Sequence, residues 1–491
     1  MEKILRQAYD PEQFRKDGYA LVDLLADHLA RTSAKQEVAS NGQMEQALPW
    51  IAPEESLAFW QKDKQTADAS PATFFEQVLA QSVQLHNPHY MGHQISPPVP
   101  VSALAGFLGD FINNGMGVYE MGMASSTLER VVVTELAKAI GFGEQADGVL
   151  TSGGTLGNLT ALLTARRLKA KSDVWNEGGN QQLALMVSEQ AHYCVDRAVR
   201  IMGWGAEGII KVPCNDRFEM RTDLLEHYYQ EATASGKQVI AVVGSACSTS
   251  TGSFDDLSAI AAFCKEHALW FHVDGAHGGA TVYSEKYRHL VKGIELADSV
   301  VVDFHKMLMT PSITTALVYC KGLDSYQTFS QEAQYLWAKN ESPEWYNLAK
   351  RTFECTKLLL SVRVYSIMRT HGTALFDAFV STCYDLGKTL AGLVIARANF
   401  SLLTPPACNI VCFRYEKEGV DLNALNERIR EQLKVEGTYY IVQTKIKGET
   451  WLRTTLTNPF TEVRHLEGLL DRIEEVVLEI DTADCKSAGP H

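Results

Sequence analysis

SVVVDFHKMLMTP (residues 299–311) is an apolar, β-branched run that breaks into Asp-Phe-His-Lys. Three valines in a row without polar alternation predict a strand buried on both faces, and a lysine a few residues on stands at that strand's carboxyl end. Lysine is seldom buried without a partner, so the meaning of Lys306 depends on what else ends beside it. Four more runs have the same character: LALMVSE (183–189), VIAVVGSA (239–246), LWFHVDGA (269–276) and TALVYC (315–320). Helical patterns such as DDLSAIAAFCKEHA (255–268) separate them. This alternation predicts an α/β domain with a mainly parallel sheet flanked by helices.

The flanking sequence differs. Asp10, Pro11 and Gln13 read as a cap, first-turn proline and capping box for a helix whose Phe14, Leu21, Leu25 and Leu29 share one face. From Asn41 to Pro71 the composition is polar with scattered prolines, the pattern of a connecting arm. Near the other end come a strand NIVCFRY (409–415), a helix DLNALNERIREQL (421–433), strands YYIVQTKI (439–446) and TWLRTTLT (450–457), and a helix EVRHLEGLLDRIEEVVLEI (462–480). The expected organisation is a helical N-terminal segment (1–75), a large α/β domain (76–365), a small α+β C-terminal domain (366–485) and a tail (486–491).

Bulk properties narrow the function. Of 491 residues, 46% are hydrophobic and 21% charged, an ordinary globular composition, and the formal net charge of −14 repels nucleic acid. No basic leader with an apolar core opens the chain, and no uncharged apolar stretch approaches the roughly 20 residues that span a bilayer, so a cytoplasmic protein without membrane or nucleic-acid partners is expected. The ten cysteines include no CxxC pair and read as buried thiols. Cys408 and Cys412 flank a strand-like run without a nearby histidine, and no metal is expected.

In open α/β sheets ligands bind at the carboxyl ends of the strands. After DGVL comes TSGGTLGNLTALLTARRLK (151–169), a glycine-rich helix start able to cradle a phosphate, with Leu156, Leu159 and Leu163 expected to face inward. After LALMV comes His192, after LWFHV comes Asp274, and after SVVVDF come His305 and Lys306. Each has a structural reading alone, as a turn, packing residue or cap. Together, a phosphate cradle, a histidine able to stack on a ring, a carboxylate and a lysine are the contacts that pyridoxal 5'-phosphate needs. Lys306 would form the Schiff base, its pKa lowered toward neutrality by desolvation, and Asp274 would pair with the pyridinium nitrogen.

The chain at this point resembles the group II pyridoxal-phosphate-dependent amino-acid decarboxylases, which include glutamate, aromatic amino-acid, cysteine sulfinate and 2,4-diaminobutyrate decarboxylases. The resemblance runs from about residue 75 to residue 480 and rests on NPHYMGHQISPP (87–98), SSTLERVVV (125–133), TSGGTLGN (151–158), AHYCVDRA (191–198), HVDGAHGG (272–279), DFHKML (303–308), RTFECTKLLLSVRVY (351–365) and WLRTTLTNP (451–459). It implies the PLP-dependent transferase fold (fold type I) with a seven-stranded sheet, and a homodimer with the active site at the subunit interface. By the same resemblance Gly154 and Thr155 contact the phosphate, His192 stacks on the ring, Asp274 meets the ring nitrogen, Lys306 carries the cofactor, and Thr249 and His305 line it. Arg453 matches an arginine that holds the substrate carboxylate. Tyr346, or else Tyr335, matches a loop tyrosine that protonates the substrate carbon. His277, also expected at the cofactor, departs from the aromatic residue common at its place, which would either reshape the pocket floor or add a titrating group near the substrate.

The implied reaction is decarboxylation of an L-amino acid to an amine. His93 and Gln94, with Tyr119 and Glu120, are substrate-facing candidates whose polarity favours a polar side chain (glutamate, aspartate, cysteine sulfinate or 2,4-diaminobutyrate). Competing readings are a decarboxylation-dependent aldehyde synthase, an aromatic amino-acid decarboxylase, a transaminase and an inactive paralogue.

Overall fold

The run that contains Asp274 becomes an interior strand. A computed structural model of the chain describes residues 2–33, 46–64, 70–179, 182–329 and 344–487. In it, seven strands form one sheet: β1 (Asp147–Thr151), β2 (Leu183–Ser188), β3 (Ile209–Val212), β4 (Gln238–Ser245), β5 (Trp270–Asp274), β6 (Ser299–Asp303) and β7 (Thr315–Tyr319), in the order β1-β7-β6-β5-β4-β2-β3. The five strands from β3 to β6 pair in parallel, whereas β7 runs antiparallel to β6 and β1. Every residue of β1, β2, β5, β6 and β7 is buried, which is why these strands read as unbroken apolar runs. The edge strand β3, IIKV, is only partly buried and carries no such signature.

The antiparallel turn of β7 has a local cause. Residues 304–314 are too short for a crossover helix and form one helical turn, Phe304–Met307, before the chain doubles back. Lys306 is thereby held at the end of β6.

The helix Gly154–Lys169 packs against the sheet, but not by the expected face. Its buried residues are Gly157, Asn158, Thr160, Ala161, Leu162, Thr164 and Ala165, while Leu156, Leu159 and Leu163 are only partly buried. Small residues let the helix approach closely: a Cβ at Gly157 would stand 3.2 Å from Val301 Cγ2 and 3.4 Å from Thr151 Oγ1.

The chain divides into two compact units. The larger comprises Gln94–Ala391 and Thr404–Cys412 and holds the seven-stranded sheet. The smaller is drawn from Met1–His93, Gly392–Leu403 and Phe413–His491, so the N-terminal helices cluster with the C-terminal elements. A second sheet has the order β10-β11-β9-β8, with β8 at Phe400–Leu402, β9 at Ile410–Tyr415, β10 at Val442–Ile446 and β11 at Glu449–Thr455. Asp421 caps the helix Leu422–Glu436 through the N–H groups of Asn423 and Ala424 (2.9 and 3.2 Å), and Gly437 ends it with φ 73°.

Two details of the N-terminal reading change. Asp10 does accept from the N–H groups of Glu12 and Gln13, both at 2.9 Å, but Gln13 turns its amide to Asp17 (2.9 Å) instead of closing a capping box. The supposed arm between Asn41 and Pro71 contains a helix, Pro53–Asp63, whose first-turn Pro53, Glu54 and Glu55 suit a helix start. Phe14 and Leu25 of the helix Pro11–Ser33 remain 48% and 47% exposed.

Candidate active site

Three strands end at one group of side chains. Lys306 Nζ lies 3.1 Å from Asp303 Oδ2, with the lysine side chain 19% and the aspartate 2% exposed. The other oxygen of Asp303 accepts from Thr315 Oγ1 at 2.6 Å, and His305 Nε2 stands 3.7 Å from Oδ2. His305 Nδ1 faces the backbone of Thr314, 3.2 Å from its nitrogen. On the neighbouring strand, Asp274 sits at the last position of β5, paired in register with Val301 of β6 and Ser245 of β4. Its Oδ1 accepts from Ala276 N at 3.2 Å, and the Ala276 carbonyl accepts from Asp303 N at 3.1 Å, so the two carboxylate-bearing strand ends are tied together.

The electrostatics of Lys306 depart from expectation. Burial disfavours its ammonium, but the carboxylates of Asp303 and Asp274 and the hydrogen bond to Asp303 outweigh that cost and raise its pKa above the ordinary lysine value. Desolvation alone predicted the opposite sign because it omitted Asp303. That aspartate was legible: it obeys the same strand-end rule as Asp274 and stands three residues before the lysine, the spacing of neighbours on a helical turn.

His192 is the N-cap of the helix Tyr193–Ile201, where its Nδ1 accepts from Cys194 N at 3.3 Å. In the neutral ring the proton therefore belongs to Nε2. Burial lowers its pKa, against the opposing pull of Asp274, and favours the neutral ring. Behind it, His272 spans from Ser299 Oγ (2.8 Å) to Asn158 Oδ1 (2.7 Å), and Asn158 Nδ2 reaches Cys194 Sγ at 3.5 Å. Burial lowers the His272 pKa to about 4, so this link is a neutral hydrogen-bond chain. It joins the helix that starts at Gly154 to the one that His192 caps. Sequence reading missed both Asn158 and His272, whose partners lie far away along the chain.

The glycine-rich turn closes the group. Gly153 has φ +104°, in the region that favours glycine, and no side chain caps the helix Gly154–Lys169. Among the described residues no side chain caps its first N–H groups, which could therefore receive a ligand. A Cβ at Gly154 would stand 2.9 and 3.1 Å from the two oxygens of Asp303, so the cradle lies directly against the Lys306 ion pair. Thr155 is exposed in the first turn. Thr249 is half-buried in the loop after β4, and its neighbour Ser250 ties that loop to Gln190 Oε1 at 2.7 Å. His277 is buried, its Nε2 2.8 Å from Asn409 Oδ1, and Asn409 Nδ2 reaches Met307 Sδ at 3.4 Å.

Other expected residues lie elsewhere. Gln94 belongs to the larger unit and is buried, and its Nε2 has no hydrogen-bond partner among the described residues. Ser96 Oγ and Thr310 Oγ1 are in the same condition, and Val99 N donates to Met309 O at 2.9 Å, which sets these two segments side by side. Tyr346 packs edge-on against Tyr119 with ring centroids 5.5 Å apart, and Tyr119 N donates to Asn347 Oδ1 at 2.9 Å. Tyr335 lies outside the described residues. His93 and Arg453 belong to the smaller unit, where Arg453 is 7% exposed on β11 and its charge contributes to lowering the His93 pKa, behind burial.

These residues fit pyridoxal phosphate: an uncapped helix start for the phosphate, a neutral imidazole for a ring face, a strand-end carboxylate, and a lysine beside them. Comparison with known proteins points the same way. The family model described as pyridoxal-dependent decarboxylase conserved domain matches residues 65–416. An L-2,4-diaminobutyrate decarboxylase of Acinetobacter baumannii is 29% identical, and an L-aspartate decarboxylase of Metarhizium robertsii is 32% identical, each match covering 81% of both chains. In fold the chain resembles the crystal structure of mouse CSAD, with a TM-score of 0.86 at 23% identity over 95% of this chain and 99% of that one.

Proposed function

The chain belongs to the pyridoxal-dependent decarboxylase family, and we propose that its amino-acid decarboxylation is carried out by the group around Lys306, Asp274 and His192, on a substrate with a polar side chain. The carrying observation is that two strand-end carboxylates act on one lysine directly beside an uncapped glycine-rich helix start.

Pyridoxal phosphate, when bound, supplies an electron sink for the bond pair left as carbon dioxide departs. Everything else falls to the protein. Lys306 would hold the cofactor covalently, Gly154 and Thr155 its phosphate, His192 one face of its ring and Asp274 its ring nitrogen. Thr249, His277 and His305 complete the surroundings. Asp303 holds a proton at Lys306 Nζ while the amine is free, and Asp274 would hold one at the ring nitrogen. A carboxylate at the ring nitrogen favours the charged ring. The apolar strand ends beneath exclude water, so these charges act at low dielectric.

A polar substrate is supported by the buried and unpartnered Gln94 Nε2, Ser96 Oγ and Thr310 Oγ1, because such groups are costly unless a ligand pairs with them. The roles of His93 at the substrate side chain, Arg453 at the substrate carboxylate and Tyr346 as proton donor to the substrate carbon rest on the family resemblance. So does the homodimer, which also has support in the helix Pro100–Ile112, where Leu104, Phe107, Leu108 and Phe111 are 46–64% exposed. A cytoplasmic location is supported by ten cysteines that are all free. No described helix is long and apolar enough to cross a membrane.

The test has two arms. Borohydride reduction followed by peptide mapping should place the pyridoxyl group on Lys306; its recovery on another lysine refutes the assignment. A carbon dioxide release screen across the amino acids, with cysteine sulfinate and 2,4-diaminobutyrate added, should favour a polar side chain. Preference for an aromatic one refutes that part alone.

A further inference from the structure

A second set of reactive side chains lies in the larger unit, formed by three segments far apart in the sequence. Cys247, in the loop after β4, and Cys408, before β9, place their sulfurs 3.8 Å apart, and a nitrogen of His277 completes a triangle whose ligand atoms all lie within 4.8 Å of one another. All three residues are buried, at 7%, 1% and 2% exposure. We propose that Cys247, Cys408 and His277 bind one thiophilic d10 cation, with Zn2+ the ion that the geometry fits best. The inference is independent of which amino acid is decarboxylated.

Three observations carry it. A tetrahedral centre with Zn–S bonds of about 2.3 Å sets its sulfurs about 3.8 Å apart, the separation already present. The Nε2 of His277 faces the Asn409 carbonyl oxygen at 2.8 Å. An amide oxygen only accepts, so Nε2 carries the proton and Nδ1 carries the lone pair, the arrangement by which a second-shell partner orients a ligating imidazole. Asn409 follows Cys408 in the chain, so one segment supplies both a ligand and the group that orients another.

The backbone also makes room. A Cβ at Gly252 would stand 2.7 Å from Cys408 Sγ, so a side chain there would crowd that sulfur. Cys408 Sγ meanwhile donates to Gly252 O at 3.4 Å. On binding, each thiol loses its proton, and two thiolates with one neutral imidazole balance a divalent ion. A neutral cluster is the form of charge that a buried site tolerates. The fourth position is left for a water or other small ligand. Soft sulfur donors select Zn2+ or Cu+ over Mg2+ and Ca2+. Cys412, which sequence reading weighed as a partner for Cys408, instead directs its sulfur to Ser250 O at 3.2 Å.

Because the cluster is buried, the metal should be offered while the chain folds. The full chain, produced in cells grown with Co2+ in place of Zn2+ and purified as holoenzyme without a tag, should carry one cobalt per chain. X-ray absorption at the cobalt edge should show two sulfur neighbours. The visible bands of tetrahedral cobalt should appear to the red of the cofactor's absorption. Cys408→Ser should lose the metal while keeping its cofactor spectrum and circular dichroism. Substoichiometric cobalt, a coordination shell with fewer than two sulfurs, or a Cys408→Ser protein that retains the metal would overturn the proposal. If that variant does not fold, the wild-type absorption edge alone decides.

Discussion

Lys306 Nζ and Asp303 Oδ2, 3.1 Å apart and three residues apart in the chain, form an ion pair at the mouth of the sheet. The pair sets the charge of the lysine before any cofactor arrives. With its pKa raised, Lys306 is an ammonium near neutrality and must lose a proton to attach an aldehyde. Cofactor loading of the apoprotein should therefore quicken as pH rises.

Asp303→Asn keeps an acceptor for Thr315 but removes the nearer negative charge. The lysine pKa should fall and the pH profile of pyridoxal phosphate loading should move to lower pH, as read by absorbance after mixing. An unmoved midpoint would mean that Asp303 does not hold the proton. The sign for stability is fixed by the same shift. A lysine raised in the folded state stabilises the apoprotein below its unfolded pKa of about 10.4. That contribution disappears as pH climbs through the folded value, and Asp303→Asn should flatten this alkaline limb.

A second ion pair grips β1, the strand that leads into the cradle. Lys357 Nζ meets Glu129 Oε1 at 2.6 Å and Leu150 O at 2.7 Å, and the same carboxylate oxygen accepts from Leu150 N at 2.9 Å. Both side chains are at most 2% exposed. Lys357→Met should cost about 3–5 kcal/mol in denaturant unfolding, because it strands a buried carboxylate. Adding Glu129→Leu should recover much of the loss. If the single variant is as stable as the parent, the pair is not a structural strut.

These residues show where sequence reading succeeds and where it stops. Asp274, His192 and Lys306 follow runs that are apolar on both faces, so their strand-end positions are legible from local pattern. Glu129 and Lys357 were visible only as members of family motifs, since their partnership spans 228 positions. His277 stood out in its motif, but its pairing with Asn409, 132 positions away, left no local trace. The helix after β1 misled in another way. Its leucines suggested the inner face, but close packing on a sheet favours glycine, alanine and threonine there.

Gly154→Ala tests the cradle. The added methyl carbon would meet both oxygens of Asp303 at about 3 Å, a distance inside ordinary van der Waals contact. The better helix propensity of alanine offsets only part of that clash, so thermal stability should fall modestly. Cofactor affinity should fall by about tenfold, or about 1.4 kcal/mol, in equilibrium titration. Unchanged affinity would place the phosphate elsewhere.

His192 has two jobs that substitution can separate. Asparagine is a good N-cap but offers no ring, whereas phenylalanine offers a ring without a cap. His192→Asn should keep the melting temperature and lower kcat by about tenfold. His192→Phe should retain more of the cofactor's spectrum and lose about 1 kcal/mol of stability. The reverse pattern would make the cap, not the ring, the reason for histidine here.

Tyr346 offers the sharpest test of the reaction's last step. Its ring rests against Tyr119, and it makes no described contact with Lys306. The family resemblance implies that such a tyrosine serves the site of a second subunit. Tyr346→Phe should lower amine formation by about 10²–10⁴-fold, the range for loss of a positioned proton donor. In air, substrate carbon left without its proton is open to dioxygen. The balanced outcome is aldehyde, carbon dioxide, ammonia and hydrogen peroxide from one amino acid, one dioxygen and one water. Peroxide detection with and without oxygen separates the two fates. Mixing Tyr346→Phe with Lys306→Ala subunits then tests the route: if the tyrosine serves the partner's site, hybrids regain amine formation. If mixing restores nothing although hybrids form, the tyrosine acts within its own subunit or not at all.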